Sequence, residues 1–160
     1  GEGTTFALYL PLMEQAEVSE DEDMSSPEIP GGSEMILLVD DEPMLTTLGE
    51  EMLKAKGYTV STMHDSQEAL KMFSANADNI DLLITDQTMP NMTGIELIQE
   101  VKRIKPEIPT ILYTGYSTKV NEDTVSQWGI DAYLHKPLEP TLLFKTVRRL
   151  LDEGCRGSGA

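Results

Sequence analysis

At 160 residues and a formal net charge of −16, the chain has room for one ordinary folded domain plus loose ends. Twelve basic residues against 28 acidic ones exclude nucleic acid and anionic membrane surfaces as partners, since both depend on clustered Lys and Arg; cations and basic protein surfaces fit better. A single cysteine, Cys155, excludes a disulfide framework and a cysteine-based metal centre, and the apolar runs are too short to span a bilayer, so a soluble chain in a reducing, cytoplasmic setting is expected.

The chain opens with GEGTTFALYLP, a glycine-flanked turn leading into an apolar segment. Beyond Pro11, Glu14, Glu17, Glu20, Asp21, Glu22, Asp23 and Glu28 are scattered among Ser, Met and Pro, ending in Pro30-Gly31-Gly32. Such composition cannot bury enough apolar surface to offset its ordering entropy, so residues 13–33 read as a flexible acidic linker. The folded unit is expected from Glu34.

From there the pattern alternates. MILLV at 35–39 is a continuous apolar run, as in a strand covered on both faces. Pro43 opens a helix with apolar Leu45, Leu48 and Met52 at helical spacing, stopped by Gly57. Residues 58–63 predict a second strand. Asp65 and Glu68 have capping-box spacing ahead of a second helix carrying Ala69, Leu70 and Phe73. Residues 80–85 (IDLLIT) are the third strand, and Ile95, Ile98 and Val101 mark a helix that must end before Pro106. A fourth strand covers 110–113, a weaker helix 119–128, a short fifth strand 132–135, and an amphipathic last helix 142–151, ended by Gly154 with a disordered tail to 160. Strands alternating with helices predict an α/β fold, a doubly wound five-stranded parallel sheet with right-handed crossovers.

In such sheets, sites form beyond the carboxyl ends of the strands, where the strand order reverses. The polar residues fall there: Asp40 and Asp41 after the first strand, Asp86 after the third, Thr114 after the fourth, Lys136 after the fifth. Three carboxylates at about 4 Å repel by roughly 1 kcal/mol per pair in bulk water and about 4 kcal/mol at an effective dielectric near 20. A hard divalent cation offsets this, and Mg²⁺ is usually held by one or two carboxylates plus phosphate oxygens. With the Lys136 ammonium and the Thr114 hydroxyl, these are the parts a transferring phosphoryl group requires, and a central carboxylate would be its nucleophile.

Asp40-Asp41, Asp86 followed by Thr88-Met89-Pro90 and Gly94, then Thr114-Gly115 and Lys136-Pro137 resemble the receiver domains of two-component response regulators, over residues 34–153. The resemblance implies a flavodoxin-like strand order of 2-1-3-4-5. It makes Asp86 the phosphoacceptor, Asp41 a direct Mg²⁺ ligand, Asp40 a holder of the metal or its water, and the Thr88 backbone carbonyl a further ligand. Thr114 would bond one phosphoryl oxygen and Lys136 neutralise another. Tyr133 matches the aromatic residue that switches inward as Thr114 moves, repacking a surface on the later helices and fifth strand. A cis Lys136–Pro137 bond is also implied.

Other readings of these residues exist. Asp40 and Asp41 in isolation could cap the first helix, as Asp65 does the second. His64 and His135 read as structural or surface residues, and Met44, Met52, Met63 and Met72 as core filler. Three rival functions stand beside this one. A Mg²⁺-dependent phosphatase-like enzyme resembles Asp-x-Asp at its nucleophile strand, where this chain has Asp86-Gln87-Thr88. A flavin-binding domain needs a Ser, Thr and Gly-rich loop in place of Asp-Asp-Glu. A non-phosphorylated interaction module is disfavoured by the intact set of five.

The opening segment resembles the last glycine box and final strand of the ATP-binding domain of sensor histidine kinases. Residues 1–12 then read as a remnant with no binding role for Gly1 or Gly3, disordered or paired with any edge available. The arrangement is that of a hybrid histidine kinase. With no output domain expected after Glu153, the phosphoryl group would come from a phosphohistidine, in cis or in trans, or a small donor, and pass to a histidine phosphotransfer domain or act back on the kinase. Dimerisation stays open.

Overall fold

Five short segments each supply a strand: β1 Met35–Val39, β2 Thr59–Met63, β3 Leu82–Asp86, β4 Thr110–Thr114 and β5 Ala132–His135. In the computed structural model, which describes residues 29–115 and 128–157, these strands pair in parallel in the order β2-β1-β3-β4-β5. Helices α1 Pro43–Ala55, α2 Ser66–Asn76, α3 Gly94–Ile104 and α4 Pro140–Gly157 cover the sheet, with a 3-10 turn at Ala77–Asn79. Two apolar clusters flank the strands. Ile36, Leu38 and Ile84 meet Leu53 of α1 and Leu143 and Val147 of α4 on one face, whereas Leu37, Val39 and Leu83 meet Phe73 of α2 and Leu97 and Val101 of α3 on the other. Burial on both faces is why the central strands β1, β3 and β4 read as largely apolar runs without alternation, whereas the edge strands β2 (TVSTM) and β5 (AYLH) are only partly buried.

The fold class, strand order and cis Lys136–Pro137 bond agree with expectation. So does the stop of α1, where Gly57 takes φ +93° and the N–H groups of Gly57 and Tyr58 close on the carbonyls of Lys54 and Leu53. Asp65 caps α2 by accepting from the N–H groups of Gln67 and Glu68, both at 2.9 Å. A reciprocal capping box forms on α3, between Thr93 and Glu96.

Several boundaries differ. β3 starts at Leu82 because the 3-10 turn delivers the chain late, and it takes in Asp86, whose register partner is Tyr113. The last helix begins at Pro140 and runs through Gly154 to Gly157. A glycine stop needs a left-handed backbone, which among the described glycines only Gly57 and Gly129 adopt; inside a helix, glycine costs only about 1 kcal/mol. The tail expected to be disordered from Gly154 is therefore helical at its start. The described chain also begins before Glu34: Gly32 N–H donates to the Lys56 carbonyl (3.1 Å), and the Arg148 guanidinium reaches the Gly31 carbonyl (3.4 Å). The last residues of the expected flexible linker are thus pinned against α1 and α4. Met44 of α1, read as core filler, is 81% exposed, and Leu48, on the apolar spacing of the same helix, is 51% exposed. The opening segment, most of the linker and most of the helix expected over 119–128 lie outside the described residues. Among the described residues, no helix is long and apolar enough to cross a membrane.

Candidate functional site

β1 and β3 are neighbours in the sheet, but the chain leaves β1 toward one edge and β3 toward the other, so a crevice opens beyond their carboxyl ends. Asp40 and Asp86 stand there, both buried. Each is fixed by the turn it enters: Asp40 Oδ1 accepts the Glu42 N–H at 2.7 Å, and Asp86 Oδ2 accepts the Thr88 N–H at 2.8 Å. Asp41 lies at the mouth, more open to water. One carboxylate oxygen from each of Asp40, Asp41 and Asp86 falls within 4.8 Å of the others, the spacing a single cation can bridge.

Lys136 follows β5 and reaches back across the crevice. Its Nζ lies 3.0 Å from Asp40 Oδ2, 3.0 Å from Asp86 Oδ1 and 3.8 Å from Glu42 Oε1. Burial disfavours the ammonium, yet its bonds to Asp86 and Asp40 outweigh that and lift its pKa above the ordinary lysine value. Burial raises the pKa of Asp86, and the Lys136 bond and the Thr88 N–H pull it down without cancelling the rise. One ammonium among three carboxylates leaves the rim short of positive charge, and an oxygen-seeking divalent cation fits that donor set.

Close approach of α3 completes the pocket floor. A Cβ on Gly94 would stand 2.2 Å from the Asp86 carbonyl oxygen, so only glycine lets α3 start this close to the end of β3.

The structure therefore brings Asp40, Asp41, Asp86 and Lys136 together. Thr88 contributes its N–H to Asp86. Thr114 ends β4 at the same rim, fully buried, with its hydroxyl donating to the Gly115 carbonyl at 3.3 Å instead of into the acidic cluster. Tyr133, on β5, is half-buried with its ring edge-on to His135 at 5.5 Å. His64 sits beside the rim, its Nδ1 3.2 Å from the Asp40 carbonyl. Asp40 also supports the turn into α1 through the Glu42 N–H, but it does not cap the helix: Glu42 occupies the N-cap, and no side chain caps it.

Sequence reading missed Tyr113. Only 1% exposed, it donates its hydroxyl to Asp40 Oδ2 and lays its ring beneath Lys136, whose Nζ is 5.0 Å from the ring centroid. Burial and the Asp40 carboxylate push the phenol pKa up, which favours the protonated, donating form.

A doubly wound sheet with an acidic rim at its switch point is the architecture of a receiver-like domain with a cation site. The sequence pattern of the response regulator receiver domain matches residues 36–148, and the chain belongs to that family. The chain is 28% identical over 160 residues to the sensor kinase CckA of Brucella abortus, a match covering 96% of this chain and 17% of that protein. It is 34% identical to the transcriptional regulatory protein CpxR of Escherichia coli over 72% of this chain and 48% of that one. The chain thus spans between about a sixth and a half of these curated relatives. A receiver domain of Clostridium thermocellum superposes with a TM-score of 0.72 at 30% identity, covering 75% of this chain and 95% of that structure. As a receiver domain, the protein serves two-component signal transduction through a phosphoacceptor site.

Proposed function

We propose that Asp86 is the phosphoacceptor, in a Mg²⁺-dependent transfer from a phosphohistidine. The observation that carries this is the placement of Asp86 Oδ1 at 3.0 Å from Lys136 Nζ, inside the three-carboxylate cluster. A carboxylate oxygen of Asp86 attacks the phosphorus, the phosphorus–nitrogen bond to the donor imidazole breaks, and the imidazole leaves as its neutral form after taking a proton from solvent. Asp40, Asp41, Asp86 and the Thr88 carbonyl would hold the cation, which when bound neutralises the equatorial oxygens. Lys136 turns from the carboxylates to a phosphoryl oxygen, Thr114 turns its hydroxyl to another, and Tyr133 follows into the space Thr114 vacates. Incubation with a phosphohistidine protein and Mg²⁺ should label the wild type and leave Asp86→Ala unlabelled; equal labelling of both sinks the assignment.

The donor is a histidine kinase domain, in cis or in trans, and a histidine phosphotransfer domain is the recipient, in a cytoplasmic setting. The match to a sensor kinase extends over 96% of this chain, including part of the opening segment, and this supports a receiver carried on a hybrid kinase. A phosphoacceptor helix and further ATP-site motifs in the sequence preceding Gly1 are the result expected; their absence would remove the parentage and leave the receiver.

A further inference from the structure

The phosphotransfer reading gives no task to Tyr113, although its hydroxyl reaches the rim carboxylate Asp40. Asp40 is 0% exposed and its oxygens are divided: Oδ1 takes the Glu42 N–H at 2.7 Å, while Oδ2 takes both Lys136 at 3.0 Å and the Tyr113 hydroxyl. Lys136 is shared with Asp86 and is the group that must swing to an incoming phosphoryl oxygen. Once it swings, Tyr113 is the donor left on Oδ2. We propose that Tyr113 is a positioning residue for the cation site: its hydroxyl holds the Asp40 carboxylate in one orientation toward the metal, whether Lys136 is bonded to it or not.

Without that hydroxyl only the Glu42 N–H on Oδ1 would hold the carboxylate, leaving Oδ2 free to follow Lys136 and the ligand set free to depart from the near-ideal geometry that Mg²⁺ demands. Donation by a phenol weakens the oxygen slightly as a ligand, but loss of an orienting partner outside the ligand shell typically costs about 10–100-fold in metal affinity. Orientation therefore decides the sign. The ring has a second task, because it seats the Lys136 ammonium at 5.0 Å from its centroid. Tyr113→Phe keeps that seat and the core packing and removes the hydroxyl alone.

This inference rests on the Mg²⁺ reading, and calorimetric titration of the full chain with Mg²⁺ separates the two. Uptake by the wild type with affinity on the order of tenfold weaker in Tyr113→Phe is the result expected. Equal or tighter binding by the variant overturns the inference alone, and no uptake by the wild type overturns the Mg²⁺ reading with it. A packing role is distinguished by the pair Asp40→Asn and Asp40→Asn/Tyr113→Phe. Because the hydroxyl acts through Asp40, the loss should shrink there to about twofold or less, and a full loss persisting in that background also overturns it. Should Tyr113→Phe fail to fold, the wild type answers: its Tyr113 hydroxyl proton resonance should shift as Mg²⁺ is added, and a resonance unmoved at saturation counts against the assignment.

Discussion

Three carboxylates immediately precede strands, and each is answered by a donor: Glu34 before β1 by Arg148 at 2.8 Å, Asp81 before β3 by the Met35 N–H at 2.8 Å, and Asp131 before β5 by Thr110 and Lys102. Three others, Asp40, Asp41 and Asp86, stand at the carboxyl ends of strands; Asp40 and Asp86 share the ammonium of Lys136, and Asp41 joins their cluster at the mouth. The same residue type at opposite ends of the same sheet thus serves two purposes. At the amino-terminal end acids are consumed in tying the chain together; at the carboxyl-terminal end an excess of acid is retained, whose mutual repulsion a bound cation would offset.

Removing the rim cation should separate the two ends most sharply. Lys136→Met leaves Asp40 and Asp86 buried beside each other without their ion pair, and in Mg²⁺-free buffer we expect a loss of about 3 kcal/mol, the low end for breaking a buried pair because Lys136 is 22% exposed. Mg²⁺ should restore much of it. Lys102→Met at the opposite end should cost less than about 1 kcal/mol, since Asp131 keeps its bonds to the Thr110 N–H and hydroxyl. Similar shifts in denaturant midpoint for both variants would erase the distinction.

Next in size is a break at the amino-terminal end. A Cβ on Gly31 would stand 1.8 Å from the Lys56 carbonyl oxygen, so Gly31→Ala must lift the segment off, forfeiting the Gly32–Lys56 and Arg148–Gly31 bonds. About 2 kcal/mol is expected from two lost hydrogen bonds, with faster amide exchange at Gly32 and unchanged Mg²⁺ affinity. Retained exchange protection would show that the segment tolerates the side chain. Asp41→Asn should act in the other direction: relief of repulsion raises metal-free stability by about 1 kcal/mol and weakens Mg²⁺ binding. Asp86→Asn gains less, because it also surrenders part of its bond to Lys136. A lower midpoint for Asp41→Asn would count against crowding of the carboxylates.

The contrast between the ends also explains what the sequence made legible. Asp40, Asp41, Asp86 and Lys136 could be read because strand ends are marked by apolar runs, and the topology rule sends every residue just past them to one rim. Tyr113 could not. It sits within TILY, and a parallel strand buried on both faces has no alternation to say which way a side chain points or what its hydroxyl will meet 73 residues away. Gly31 and Gly32 misled for a related reason: glycine reads as flexibility, whereas here its lack of a side chain permits contact with the Lys56 carbonyl. The extent of α4 was hidden by the same reading at Gly154. Local rules end where a residue's role is set by a neighbour remote in sequence.

The smallest expected effect is in pH, and its sign differs between the two ends. Burial alone would raise the pKa of Glu34, but the Arg148 bond and backbone N–H groups bring it below the ordinary 4.5. A folded-state pKa below the unfolded one means that the unfolded chain binds the proton first on acidification. The Glu34 contribution is therefore complete above about pH 4.5 and is lost as pH falls through the folded value. Asp86 has the opposite shift, raised by burial above the ordinary 3.8, so without Mg²⁺ the folded state takes up that proton first and gains stability as pH falls through its pKa. Between neutral pH and about pH 4, Glu34→Gln should lose less midpoint than the wild type, and Asp86→Asn should lose more, each by less than about 1 kcal/mol. Saturating Mg²⁺ should abolish the Asp86 difference and leave that of Glu34 untouched. If Mg²⁺ altered both equally, the two ends would be coupled through the sheet and the division of labour between them would fail.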